Sequence, residues 1–225
     1  GEFVLKGKIS TDPHNNLAIY GHPFVHKGKL YLLWSGWKNK RIFEEMQCLY
    51  IAEMSDPWTL ASERVLISEP KYEWECQWVG TDGNKAAYPV YVNEMPFLFH
   101  SRDKDKLLVY YSASANWTPY HCIGLLVANA DSDPLSPASW TKLSEPVFRQ
   151  SPENNAYAPG NICFVPSPDY KEWYMLYLVR NSLHDMLMVD SRSLRMQPIG
   201  WDEEGLPLLG KPAKEGEVFR KPSGL

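Results

Sequence analysis

The stretch YPVYVNEMPFLFHSRDKDKLLVYYSAS, residues 88–114, sets a single carboxylate, Glu94, in an apolar, aromatic and proline-bearing run ahead of a charged turn. Such a carboxyl has two readings. It is a proton donor if burial holds its pKa above the ordinary glutamate value of about 4.3, and otherwise the solvated end of a strand. The other groups able to do chemistry are scattered. His22, His26, His100, His121 and His184 show no shared metal-ligand spacing and read as residues of surface turns. Cys48, Cys76, Cys122 and Cys163 form no C-x-x-C, which argues against zinc and leaves buried thiols and disulfides both open. Asp103, Asp131, Asp133 and Asp190 fall in turns or connections, none of them marked as a second catalytic carboxylate, and WDEEG at 201–205 reads as a solvated turn.

The elements that must hold Glu94 are β-strands. The 225 residues include 9 Trp, 13 Tyr, 14 Gly and 18 Pro, a mixture that suits a turn-rich β protein with surfaces able to stack on flat ligands. Net charge is −4 without a Lys/Arg cluster, which disfavours a nucleic-acid partner. No apolar run reaches the roughly 18 residues of a membrane span, so no membrane partner is expected. The opening GEFVLKGKIS lacks an apolar signal-peptide core and reads as the middle of a longer chain. Asn116-Trp117-Thr118 is a glycosylation sequon, a weak indicator of compartment.

Three stretches share one plan: a short apolar strand, a polar turn, a strand of large apolar residues, a third strand and a short Trp-bearing fourth. The second strands are Leu30–Trp34, Leu107–Tyr111 and Trp173–Leu178; the third lie around Leu49–Ala52, Ile123–Ala128 and Met186–Val189. Trp58, Trp140 and Trp201 mark the fourth strands and read as blade packing, while Trp34, Trp37 and Trp117 follow inner strands, where a rim would stack flat ligands. Cys48 and Cys122 match in position, which favours packing over chemistry. Repeated four-stranded antiparallel units are the plan of β-propeller blades, here at approximately 17–70, 88–148 and 156–212. The alternative is an open sandwich of hairpins. Propellers close with about four to eight blades, so the expected domain, 1–225, is one incomplete propeller. It has either an open arc with apolar flanks at both ends or a dimer burying them, or further N-terminal blades complete it.

HNNLAIYGHPFVHKGKLYLLWSGW, LYIAEMSDPWTL, VNEMP, SDPLSPASWTKLSEPVF, SPENNAYAPGN and RMQPIGWDEEGLP, in that order from about Leu5 to Pro212, resemble glycoside hydrolase family 43, in particular its arabinofuranosidase-like and arabinanase/xylosidase-like members. The resemblance implies an all-β, five-bladed propeller. It also implies an extracellular enzyme that cleaves arabinose- or xylose-containing plant polysaccharides with inversion. Inversion needs one carboxylic acid and one carboxylate base, roughly 6.5–9.5 Å apart with a water between. By the resemblance, Glu94 of VNEMP is the general-acid position, with Met95 where members carry Gly. Tyr20 stands where members carry the Asp that tunes the acid, and a phenol supplies no charge at pH 7. Asn161 replaces a His tied to a central ion or water, so no metal is expected, and no cofactor. Arg195 matches an Arg near the substrate, and Gln197 follows it. With Tyr20, Trp37, Trp117 and Asn161 they make up the expected substrate-binding set.

The resemblance assigns the general base to a blade absent from this sequence. General acid–base assistance is worth about 10²–10⁴-fold, so the expectation is an impaired or inactive hydrolase. The alternatives are a degenerate propeller that binds glycan or protein without cleaving it, and a truncated product that does not close.

Overall fold

A computed structural model describes residues 1–39, 46–77, 90–183 and 191–225. Thirteen strands are described, labelled in chain order: β1 Ala18–His26, β2 Lys29–Trp37, β3 Met46–Asp56, β4 Thr59–Leu60, β5 Val65–Ser68, β6 Tyr91–His100, β7 Lys106–Ala113, β8 Cys122–Asn129, β9 Thr141–Lys142, β10 Tyr157–Pro166, β11 Trp173–Arg180, β12 Arg192–Trp201 and β13 Pro207–Leu208. They form three antiparallel blades. β1-β2-β3, with β4 and β5 both paired to β3, is the first; β6-β7-β8-β9 is the second; β10-β11-β12-β13 is the third. Two parallel pairs, Met46 with Tyr91 and Gln47 with Val92, stitch β3 to β6. The fold is all-β and propeller-type.

Local chemistry explains the hairpins. Lys27 (φ 48°) and Gly28 (φ 77°) both take left-handed backbone, the two-residue turn whose twist matches its flanking strands. In the next two blades a serine closes the turn. Ser101 and Ser167 accept the backbone N–H of Lys106 and Glu172, each at 3.0 Å, and donate to Asp105 and Asp169.

Strand alternation then distributes the core. Leu107, Val109 and Tyr111 of β7 pack toward the first blade with Leu33, Leu49 and Ile51. Leu108 and Tyr110 point the other way, against Phe164, Met175 and Tyr177 of the third. The second blade is thus buried on both faces.

The expected second strands lie inside β2, β7 and β11. In the third blade the third strand is β12, while the expected Met186–Val189 lies outside the described residues. The fourth strands paired to β3, β8 and β12 as β4, β9 and β13 are only two residues long, and the tryptophans flank them instead of occupying them. Trp58 sits in the β3–β4 turn, its N–H bonded to Asp56 Oδ1 at 3.0 Å, and is 47% exposed with Lys6 over its ring. Blade packing therefore does not explain Trp58. Trp140 is buried, and Trp201 stacks on Phe99, as packing requires.

One of the two expected apolar flanks is bare. On β12, Leu194 and Met196 are exposed beside half-buried Leu178 and Leu176, their cross-strand partners. The far face of the first blade is covered instead: Ile9 packs on the Leu32–Trp34–Tyr50 cluster, and the Arg64 guanidinium lies 4.4 Å from the Tyr50 ring centroid. All four cysteines are free thiols, with Cys48 and Cys122 buried at matching places in β3 and β8.

Gly124 of β8 shows how tightly the blade junction is packed. A Cβ there would meet Tyr111 Cζ at 2.3 Å and Trp74 at 2.8 Å. Gly124→Ala should destabilise the protein by about 1–3 kcal/mol, the usual cost of overpacking, read as a lower urea midpoint with an unchanged m-value.

Candidate active site

The first strand of each blade carries a bulge at the same place. Pairing skips between Ile19 and His22 on β1, between Glu94 and Phe97 on β6, and between Gly160 and Cys163 on β10. The first bulged residue is Tyr20, Met95 and Asn161 respectively, at φ 57°, 51° and 57°. Left-handed backbone at a non-glycine residue costs roughly 1–2 kcal/mol, so three such bulges store strain where the inner strands meet. Bulges re-aim side chains, and here they do so at the three positions singled out in the sequence. Just beyond them, His22 and Phe97 lie 4.6 Å apart by ring centroid, and Phe97 and Phe164 6.0 Å, tying the inner strands together.

Glu94 sits at the start of the β6 bulge. Gln47 Nε2 donates to its Oε2 at 3.1 Å and to Ser35 Oγ at 2.8 Å, and Ser35 donates in turn to the Asn93 carbonyl at 2.9 Å. Burial raises the Glu94 carboxyl to about 6, against smaller downward pulls from the Gln47 bond and the Arg192 charge. Desolvation thus extends the pH range over which the carboxyl keeps its proton up to about 6, and no carboxylate among the described residues acts on it. Among the described residues, the charge felt at Glu94 comes from Arg192 alone.

Tyr20 is brought beside it. The phenol is 44% exposed and its pKa is raised, first by burial and then by the Glu94 charge, so it stays neutral. Asn161 donates its backbone N–H to Ser112 Oγ at 2.9 Å, while its Oδ1 is buried with no partner among the described residues. Trp117 is 48% exposed in the β7–β8 connection, and Trp37, half-buried, closes β2. Trp34 is no rim residue: it is buried and stacked on Tyr50.

Arg195 and Gln197 are turned into the third blade, not toward Glu94. On β12 they alternate with exposed Leu194 and Met196 and so share the inward face with Tyr177. The Arg195 guanidinium donates to Asn155 O at 2.9 Å, to Asn181 Oδ1 at 2.7 Å and to Ala213 O. Gln197 accepts from Tyr177 and donates to Leu209 O and Lys211 O. Both hold loops. Arg192, three residues earlier, is the one whose charge reaches Glu94, Tyr20 and His121.

The histidines differ from expectation too. His22 and His26 lie in β1 and His100 ends β6, all at least partly buried, and His26 is bonded to Ala130 O at 2.9 Å. His121 is fully buried, with Nδ1 3.0 Å from Ser114 O, and burial lowers its pKa to about 4. Its Nε2 lies 2.2 Å from where a Cβ on Gly160 would stand, so the glycine makes room for the ring. His184 and Asp190 lie outside the described residues. Among the described residues no group of three or more His, Cys, Asp or Glu could hold a metal. Among the described residues, a cavity of about 240 Å³ is lined by His14, Asn16, Lys38 and Asn39.

Missed in the sequence is a polar cluster behind Glu94. Glu75 and Lys142, 67 residues apart, are buried and paired at 2.6 Å, and both bond the side chain of Asn93. Only the folded blades bring them together: Lys142 falls in the quoted phrase SDPLSPASWTKLSEPVF and Glu75 in none, and nothing local marks them as partners.

Comparison with known proteins agrees with this architecture. The sequence profile of Glycosyl hydrolases family 43 matches residues 1–207, and the chain belongs to that family. Its relatives include an extracellular exo-alpha-(1->5)-L-arabinofuranosidase of Streptomyces avermitilis, 34% identical over 219 residues, covering 96% of this chain and 42% of the relative. Alpha-L-arabinofuranosidase 43 of Humicola insolens is 32% identical over 214 residues, covering 94% and 41%. The chain thus spans less than half the length of these relatives. Among solved structures, an alpha-L-arabinofuranosidase from Lactobacillus brevis superposes with a TM-score of 0.79 at 30% identity, covering 95% of this chain and 61% of that one. A thermostable family-43 glycoside hydrolase shares the fold, with a TM-score of 0.71 at 22% identity and coverage of 92% and 62%.

The raised Glu94 pKa fixes a sign. A carboxyl whose folded pKa exceeds its unfolded value contributes fully below about pH 4.5, and that contribution is lost as pH rises through about 6. Glu94→Gln, which cannot ionise, should therefore be more stable than the parent by about 1–2 kcal/mol at pH 7.5, after discounting for partial exposure. The gap should close by pH 4.5. Urea unfolding at the two pH values measures it; a gap of equal size at both would contradict the assignment.

Proposed function

We propose that this chain carries the acid half of an α-L-arabinofuranosidase-type site acting on arabinose- or xylose-containing glycans, and that turnover by the chain alone is impaired. The observation that carries the reading is Glu94, a half-buried carboxyl lifted to about 6 at the bulge where the inner strands converge. That value lets the group hold a proton and donate it to a leaving glycosidic oxygen. Tyr20 and Trp117 offer exposed aromatic faces for a sugar, and Arg192 supplies a cation beside the acid.

The impairment follows from the second carboxylate. Inversion needs a base across the sugar from the acid, and no described carboxylate makes itself felt at Glu94. We place the three blades, residues 1–225, in a larger propeller domain, in keeping with the relatives' length and the bare Leu194–Met196 face. An extracellular setting follows the relatives named extracellular. A second reading, a non-catalytic glycan-binding propeller, is favoured by Tyr20, a neutral phenol beside the acid.

Release of arabinose from an aryl α-L-arabinofuranoside separates the readings. The chain should turn over at least about 10²-fold more slowly than a full-length family 43 arabinofuranosidase assayed alongside, and Glu94→Gln should remove what remains. Turnover at parity would refute the impairment. Turnover indifferent to Glu94→Gln would refute the acid. No turnover, with calorimetric binding of arabino-oligosaccharides, would favour the binding module.

A further inference from the structure

We propose that Glu75 and Lys142 are positioning residues for Glu94: a buried ion pair that grips Asn93 and, through Ser35 and Gln47, fixes the carboxyl at the β6 bulge. The inference rests on the reading of Glu94 as the acid, and the geometry behind it is continuous.

Glu75 has no solvent exposure. Its Oε1 accepts from Lys142 Nζ at 2.6 Å, Asn93 Nδ2 at 2.8 Å and Tyr111 OH at 2.9 Å; its Oε2 accepts the backbone N–H groups of Lys71 and Tyr72 at 2.8 and 3.0 Å. Lys142, on the outermost strand of the second blade, spends its other protons on Glu69 O at 2.7 Å and Asn93 Oδ1 at 3.0 Å. Ser68, from the first blade, adds a 2.6 Å bond to that same Oδ1. The Asn93 Oδ1 is thereby held from both blades at once, and its Nδ2 donates to Glu75 and to Val92 O.

Asn93 is the residue before Glu94, and its carbonyl accepts from Ser35. Ser35 also accepts from Gln47, whose amide nitrogen reaches Glu94. An unbroken series of contacts therefore runs from the rim of the second blade to the acid. A buried ion pair gains little net stability over an apolar pair of similar volume, because desolvation offsets the attraction. What this pair supplies is geometry. The carboxylate and ammonium orient an amide that an apolar pair would leave unfixed, and the next residue must start a bulge with Met95 at φ 51°.

The test is the titration midpoint of Glu94, followed by carboxyl-carbon NMR in the intact chain. It reads the acid directly and needs no sugar cleavage, so its failure is separate from failure of the proposed activity. Glu75→Gln with Lys142→Met removes both charges at near-constant volume and should keep the protein folded. The Glu94 midpoint should fall by at least half a unit toward the ordinary glutamate value of about 4.3 as the carboxyl loosens into water. Should that double variant not fold, Ser35→Ala interrupts the series downstream of the pair and should move the midpoint the same way. A folded variant whose Glu94 midpoint stays at the parent value would overturn the proposal and leave the pair a packing feature.

Discussion

A carboxylate with no access to water lies where the first two blades meet, and its charge has to be balanced on the spot. Glu75 meets that demand with five hydrogen bonds, including one from a buried ammonium; the partners come from the second blade and from the connection leading into it, and Ser68 of the first blade bonds Asn93 in turn. The junction is therefore specified more sharply than apolar contact alone would specify it. Leu33, Leu49, Leu107 and Val109 supply the area, and would tolerate small slips between the sheets. The Glu75 cluster would not, because each slip strands a buried charge.

From that junction the constraint runs inward to the bulges. Each inner strand breaks its pairing at the same level and places one residue with positive φ there, so Tyr20, Met95 and Asn161 are structurally equivalent. The strain is tolerated because the flanking strands are long, regular and buried. The chemical result is a carboxyl raised by desolvation. The sequence led to the expectation that loss of a neighbouring Asp, with Tyr20 in its place, would leave Glu94 without support for a raised pKa. Burial supplies that support by another route.

How much of this was legible beforehand differs by element. The long strands were readable because apolar runs bounded by polar turns recur in order, and β2, β7 and β11 fall where that pattern put them. The two-residue fourth strands were not, since two residues carry no periodicity and the tryptophans beside them drew attention instead. The face of β12 was not legible for a physical reason. Arg195 and Gln197 point inward, satisfied by carbonyls from distant loops, while Leu194 and Met196 point out, reversing the usual alternation. The resemblance pointed to Arg195, whereas Arg192 carries the charge that acts on the acid. His121 likewise depended on a vacancy over Gly160, 39 positions along the chain, that local sequence does not display.

The account turns on whether Glu94 keeps its proton. Carboxyl-carbon NMR of the unaltered chain, titrated from pH 3 to 8, observes that proton site directly. A midpoint near 6 is predicted. A midpoint near 4.3, the value of a solvated glutamate, would contradict the burial of the acid and the function drawn from it.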